Sequence, residues 1–321
     1  MSSPPSIVSD LHPSPICLGT ADLGSTVDRT ASFAMLDAYL DLGGNFIDTA
    51  KVYADWLPGE RSVSEKLLGE WMHMRRNRQG LILATKGAHP DLASMHLPRL
   101  SRSEIEADLH ASLRHLQTDR IDLYWLHRDD PNHPVEDILT TLNGAVRAGK
   151  IRLFGCSNWR VERIRTANDY AAAHGLLGFA ASQVMWNMAV IDAQAIGDPT
   201  IVVMDDELWR YHHNTQLPAI PYSATANGLF QKMEKGAYTS LDPMHQNAYH
   251  HPANLARFER ARQLAARRGL TMTQVVLGYL ISQPFPTHPI IGPKSLDQLH
   301  DCLTASGVLL EQAEISTLCS E

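Results

Sequence analysis

The chain has 321 residues, 44% of them hydrophobic and 20% charged, the balance of a soluble globular protein that buries a sizeable core. A formal charge of −7 with no basic run excludes the electrostatic footprint of a nucleic-acid or anionic-membrane partner. No stretch reaches the roughly 18 consecutive apolar residues of a membrane span, and the proline-rich segment from Met1 to Ile16 lacks the apolar centre of a signal peptide, so a cytoplasmic location is expected. Cys17, Cys156, Cys302 and Cys319 show no paired spacing and read as free thiols.

Short apolar runs alternate with amphipathic segments along the chain, the pattern of repeated βα units. Strands are expected at Ile16 to Leu18, Phe46 to Ile47, Leu81 to Ala84, Ile121 to Leu126, Ile151 to Phe154, Phe179 to Ala181, Ala219 to Ile220 and Pro289 to Ile291. Helices between them have recognisable ends. Ser62 with Glu65, Ser101 with Glu104, and Thr271 with Gln274 have the spacing of reciprocal N-terminal caps. Pro134 and Gly149 bracket a further helix with Ile138, Leu142 and Val146 on its inner face. Strands near 121, 151 and 179 are about 30 residues apart, one βαβ step. Eight such units predict one α/β domain spanning 1–321, a (β/α)8 barrel, because closure removes both sheet edges. Residues 224–254, rich in Gly, Pro, His, Asn and Tyr, read as a mobile loop after the seventh strand, and Leu309 to Leu318 as an extra C-terminal helix.

Polar residues follow the strands: Asp48 the second, Lys86 the third, His127 the fourth, Ser157 and Asn158 the fifth, Gln183 the sixth, Tyr222 the seventh, Lys294 and Ser295 the eighth. In a parallel barrel these ends converge on one face, where such enzymes work. Tyr53 lies five residues beyond Asp48, close enough to turn back over the same mouth. Each residue alone has a structural explanation, but a lysine and an aspartate in one partly buried mouth are costly unless paired. A phenol beside that ammonium is expected to have its pKa lowered and to act as a general acid. Asp48 would keep Lys86 charged, and His127 would hydrogen-bond a carbonyl oxygen. A proton delivered to a carbonyl oxygen, with hydride arriving on carbon, is carbonyl reduction.

The run Gly43-Gly44-Asn45-Phe46-Ile47-Asp48-Thr49-Ala50-Lys51-Val52-Tyr53 resembles the first signature of the aldo-keto reductases. Ile121 to His127 is similar to their fourth-strand signature, Gly155-Cys156-Ser157-Asn158 to their fifth, and Pro289 to Ser295 to the segment around their adenosine phosphate site. The resemblance implies an NADPH-dependent reductase of aldehydes or ketones on a (β/α)8 barrel, acting on a small-molecule carbonyl substrate. It makes Tyr53 the acid and Asp48, Lys86 and His127 the rest of the tetrad. It places Ser157, Asn158 and Gln183 on the nicotinamide carboxamide and Tyr222 against the ring. Lys294 and Ser295 fall at the 2′-phosphate, with Gly292 cofactor-binding in the same segment and Gln298 and Asp301 near the adenosine. No Gly-x-Gly-x-x-Gly or Gly-Lys-Ser/Thr loop competes with that assignment.

Trp56, Arg128 and Trp186 are candidates for the substrate pocket; aromatic walls beside polar groups would suit a sugar or other polyhydroxylated carbonyl compound. The opposing expectation is that Trp159 and Trp186 buttress the cofactor loop and that the charges after His127 form a solvated turn. None of the histidines has metal-ligand spacing on a predicted helix, so no metal is expected. Two other functions fit the same residues: a Schiff-base aldolase using Lys86, and a cofactor-binding regulatory or auxiliary protein with little turnover.

Overall fold

Seven parallel strands make one sheet in the order β6-β5-β4-β3-β2-β1-β7, in a computed structural model that describes residues 8–320. They are β1 (Cys17–Gly19), β2 (Phe46–Asp48), β3 (Ile82–Gly87), β4 (Ile121–Leu126), β5 (Ile151–Ser157), β6 (Ser182–Gln183) and β7 (Ile290–Ile291). The helices are α1 (Arg29–Asp41), α2 (Val63–Arg75), α3 (Arg102–His115), α4 (Val135–Arg147), α5 (Val161–Ala173), α6 (Asp206–Thr215), α7 (Leu229–Glu234), α8 (Pro243–Ala248), α9 (Pro252–Arg268), α10 (Met272–Ile281), α11 (Leu296–Leu303) and α12 (Gln312–Cys319).

The strand expected at Ala219 and Ile220 is not a regular strand. Residues 218–222 form isolated parallel bridges, yet their main chain is bonded on both sides. Ile220 and Tyr222 donate to Ser182 and Val184 at 2.9 and 3.1 Å, and Ala219 and Pro221 accept from His288 and Ile290 at 2.9 and 2.8 Å. Pro218 and Pro221 have no N–H, and Pro286 and Pro289 lie opposite, so the ladder cannot run continuously. Both edges of the seven-stranded sheet meet this segment.

Side chains alternate across the strands with period two. One set, including Cys17, Phe46, Ala84, Trp125, Ala181, Ile220 and Ile290, fills the interior of the curled sheet. The other set packs outward against the helices, with Leu18, Ile47, Leu83, Tyr124 and Phe154 among them. Gly155 lies in the inward register of β5, and a Cβ there would sit 2.4 Å from the Trp125 ring and 2.6 Å from the Ala181 carbonyl oxygen. Only glycine leaves the indole its place.

The caps at Ser101 and Thr271 form reciprocally as expected. The one at Ser62 does not. Ser62 is left-handed (φ 55°) and gives its N–H to Asp55, while Glu65 turns inward to accept from Thr85 Oγ1 at 2.6 Å and meet His115 Nδ1 at 2.9 Å. Nor is 224–254 a featureless loop. It contains α7 and α8, because Leu229, Phe230, Leu241, Ala248 and Tyr249 are buried, and Asp242 caps α8 ahead of Pro243. The C-terminal helix is present as α12. Among the described residues, no helix is long and apolar enough to cross a membrane.

Candidate active site

The interior register continues past the apolar core into polar residues. Phe46 is followed two residues on by Asp48, Ala84 by Lys86, Trp125 by His127, Gly155 by Ser157, Ala181 by Gln183, Ile220 by Tyr222 and Ile290 by Gly292. Asp48, Lys86 and His127 of the predicted catalytic group thus point into one mouth by the same alternation. Tyr53 arrives from the loop after β2, where its N–H closes a turn onto Ala50 O at 3.1 Å.

Asp48 is fully buried and saturated. Its Oδ2 takes a hydrogen bond from Lys86 Nζ, and its Oδ1 accepts from Trp125 Nε1 at 3.0 Å and Gln183 Nε2 at 3.1 Å. Lys86 Nζ also donates to Thr49 O at 2.8 Å and to Tyr53 Oη at 2.8 Å. An ammonium has three protons, and all three are assigned. The Tyr53 oxygen is therefore an acceptor toward Lys86, and its own proton remains for a different partner. Lys86 Nζ also lies 4.5 Å from the Tyr53 ring centre.

Burial works against the charge on Lys86, but Asp48 and Tyr53 outweigh it and hold the ammonium above its ordinary pKa. A charged, fully hydrogen-bonded ammonium is no amine nucleophile, which removes the basis of a Schiff base at this residue. The phenol corrects an expectation. Burial, the largest influence, raises Tyr53 above its ordinary value, and the opposing pull of Lys86 does not reverse that direction. Tyr53 is a protonated phenol at neutral pH.

His127 is held well below its ordinary range, first by burial, then by Arg128, His89 and Lys86. It is a neutral imidazole, its Nδ1 buried without a hydrogen-bond partner. Its ring meets Tyr53 edge-on at 6.1 Å and His89 at 4.7 Å. His89 was not apparent from the sequence, since it sits beyond the end of β3 in a loop without a motif.

A cavity of about 1040 Å³ opens over these groups and runs to the segment after β7. Tyr53, His127, Ser157, Asn158, Gln183 and Tyr222 line one end, and Gly292, Lys294, Gln298 and Asp301 the other. Asp48 and Lys86 lie beneath its floor. The donor set suits a nicotinamide dinucleotide. Gln183 gives its amide N–H to Asp48, which turns its carbonyl oxygen outward as an acceptor, and the Ser157 hydroxyl accepts from Asn158 at 3.2 Å with its own proton free to donate. Tyr222 is fixed by its hydroxyl on Asn158 Oδ1 at 2.7 Å. Asn158, left-handed at φ 60°, also accepts from Val202 N at 3.1 Å, so it organises its neighbours. At the far end a Cβ on Gly292 would meet open space, and Lys294 reaches the rim, 3.5 Å from Asp22. Ser295 does not line the cavity; its hydroxyl caps α11 by accepting from Gln298 N.

The expected substrate residues divide. Trp56 lines the mouth, half exposed and edge-on to Tyr53 at 6.2 Å. Arg128 lines it too, but its guanidinium donates to Thr200 Oγ1, Asp198 Oδ2 and the His127 carbonyl. Trp186 faces the outer core, stacked on Phe285 at 5.9 Å and edge-on to Tyr279, away from the cavity. Trp159 is buried against Phe179, its Nε1 on Arg128 O at 3.3 Å. Among the described residues, no group of three or more His, Cys, Asp or Glu comes together as metal ligands.

The aldo/keto reductase family model matches residues 15–320. Norsolorinic acid reductase of Emericella nidulans is 29% identical over 96% of this chain and 78% of its own length. The NADP(+) aryl-alcohol dehydrogenase of Phanerodontia chrysosporium is 28% identical over 96% of this chain and 82% of its own. A thermostable aldo-keto reductase, crystallised with the inhibitor epalrestat, superposes with a TM-score of 0.70 at 22% identity, covering 95% of this chain and 94% of that one.

Proposed function

This chain belongs to the aldo/keto reductase family, whose members are oxidoreductases using NAD(P)H, and from that premise we propose that it reduces an aldehyde or ketone to the alcohol with NADPH, Tyr53 serving as general acid. One observation carries the assignment of the acid. All three protons of Lys86 have acceptors, so the half-buried Tyr53 receives a hydrogen bond at its oxygen and keeps its own proton for the cavity. The closure of the sheet through residues 218–222 fits the eight-stave barrel expected for the fold.

NADPH, when bound along the cavity, would supply the hydride for the carbonyl carbon. Tyr53 gives its proton to the carbonyl oxygen as charge builds there, and the resulting phenolate is stabilised at 2.8 Å by Lys86, which Asp48 keeps charged. His127, neutral, donates one N–H to the same oxygen and sets the approach. Ser157 and Gln183 would hold the nicotinamide carboxamide, and Lys294 the 2′-phosphate.

For the substrate we favour an aromatic aldehyde or ketone over a sugar. The polar groups that a sugar would engage are already committed, Arg128 to Asp198 and Thr200, and Asp129 to Arg163 at 3.1 Å, which leaves Val52, Trp56, Leu92 and Met95 as an apolar wall. The aryl-alcohol dehydrogenase among the relatives supports this choice. The test is NADPH oxidation by wild-type protein and Tyr53→Phe over a panel of aromatic aldehydes, ketones and keto-sugars. We expect turnover with the aromatic compounds and a loss of about 10² to 10⁴ in kcat for Tyr53→Phe, with cofactor binding nearly intact. NADPH binding without turnover of any compound would favour the auxiliary-protein function instead, and turnover retained in the variant would reassign the acid.

A further inference from the structure

His89 lies in the mouth of the cavity, against His127, with no part in the chemistry above. Its setting is built. Ala88 takes the left-handed conformation (φ 59°), unfavourable for a residue with a Cβ, and its N–H is held by Asp108 Oδ2 at 2.9 Å. Arg99, paired with Asp108, donates to the His89 carbonyl oxygen at 3.2 Å. The imidazole Nδ1 lies 2.7 Å from Pro90 O. A carbonyl oxygen only accepts, so Nδ1 carries the proton and the tautomer is settled. Burial, reinforced by Arg128, keeps the ring from taking a second proton near neutral pH. Nε2 is left as a bare acceptor without a partner among the described residues.

We propose that His89 is a specificity-determining residue whose Nε2 accepts a hydrogen bond from a hydroxyl on the substrate, so that the enzyme prefers aromatic carbonyl compounds bearing a hydroxyl near the reacting carbonyl. The inference rests on the reductase function proposed above. His127 marks the position of the carbonyl oxygen, and the His89 ring centre is 4.7 Å from that of His127, within reach of a substituent on the same aromatic ring. The neighbouring side chains of Trp56, Leu92 and Met95 offer no competing oxygen or nitrogen acceptor, so the donor's identity matters.

The discriminating probes are 2- and 3-hydroxybenzaldehyde against their methoxy counterparts, which keep the oxygen and lose the donor. Wild-type protein with NADPH should favour at least one hydroxy isomer over its methoxy partner in kcat/KM. His89→Phe keeps an aromatic ring against His127 and removes the acceptor, and should lower that ratio about 3- to 10-fold, the worth of one neutral hydrogen bond. His89→Gln, which offers an amide oxygen, should retain most of it. The ratio is the readout because any general disturbance of His127 slows both probes alike. Absence of a wild-type preference, which needs no variant, overturns the proposal, as does an unchanged ratio in His89→Phe. A wild-type protein that reduces none of the four aldehydes overturns this inference, and one that turns over no compound of the wider panel of aldehydes, ketones and keto-sugars overturns the reductase function with it.

Discussion

At the strand-end floor of the cavity, Asp48 and Lys86 are fully buried and every ammonium proton has an acceptor; at the far rim, Lys294 is 62% exposed on its side chain and meets one carboxylate, Asp22, at 3.5 Å. The floor residues stand on β2 to β6, whose hydrogen bonds and interior packing leave each side chain one direction. The rim residues stand on a turn and on α11, where the backbone does not constrain a long side chain to the same degree. Proton transfer demands a fixed geometry, whereas recognition of a phosphate tolerates a flexible cation.

The contrast is broken most severely at its buried end. Lys86→Met should abolish reduction and lower the unfolding free energy by about 3 to 5 kcal/mol, because it leaves Asp48 charged and unpaired in the core. Denaturant titration beside steady-state kinetics separates the two effects. A stable, active variant would show that the ion pair is dispensable.

Acidification probes the same buried character. His212 is pushed down to about 4 by burial, its Nδ1 on Leu217 O at 2.7 Å and its Nε2 without a partner. His89, His127 and His288 are lowered as well, each chiefly by burial. Below pH 6.5 the unfolded chain takes up protons that the folded chain refuses, so these histidines lower stability as pH drops from about 6.5 toward 4 and add no slope above that window. His212 alone accounts for roughly 3 kcal/mol of the decline. Thermal unfolding across that range measures it, and His212→Phe should flatten the slope.

Gly155→Ala tests whether the packing beneath the floor sets the site. The added methyl would strike the Trp125 ring, whose Nε1 holds Asp48. We expect about 1 to 3 kcal/mol of lost stability and a clear fall in kcat. Unchanged kinetics would mean that Asp48 keeps its position without the indole.

The smallest effect belongs to the exposed rim. Lys294→Ala should raise the NADPH dissociation constant about tenfold, the scale of one charge-assisted contact, and leave that for NADH nearly unchanged. Fluorescence titration with both cofactors decides it; equal changes would move the 2′-phosphate elsewhere.

The floor was legible in the sequence because it depends on local rules. A strand's period of two carries Phe46 to Asp48, Ala84 to Lys86 and Trp125 to His127, and parallel strands bring those ends to one face. Four signatures in order then identified the family. Quantities that depend on neighbours distant in sequence were not legible. Tyr53 is raised rather than lowered because burial is set by the folded chain as a whole. Trp186 points outward, and Arg128 is taken by Asp198 and Thr200, because segments about 70 to 100 residues away in sequence supply their partners. Apolar residues spaced among Gly, His and Asn gave 224–254 its helices, and paired prolines broke the strand at Ala219. His89 met His127 only when β3 and β4 came together. Backbone alternation is encoded residue by residue, whereas burial, charge environment and side-chain partners exist only once distant segments have packed.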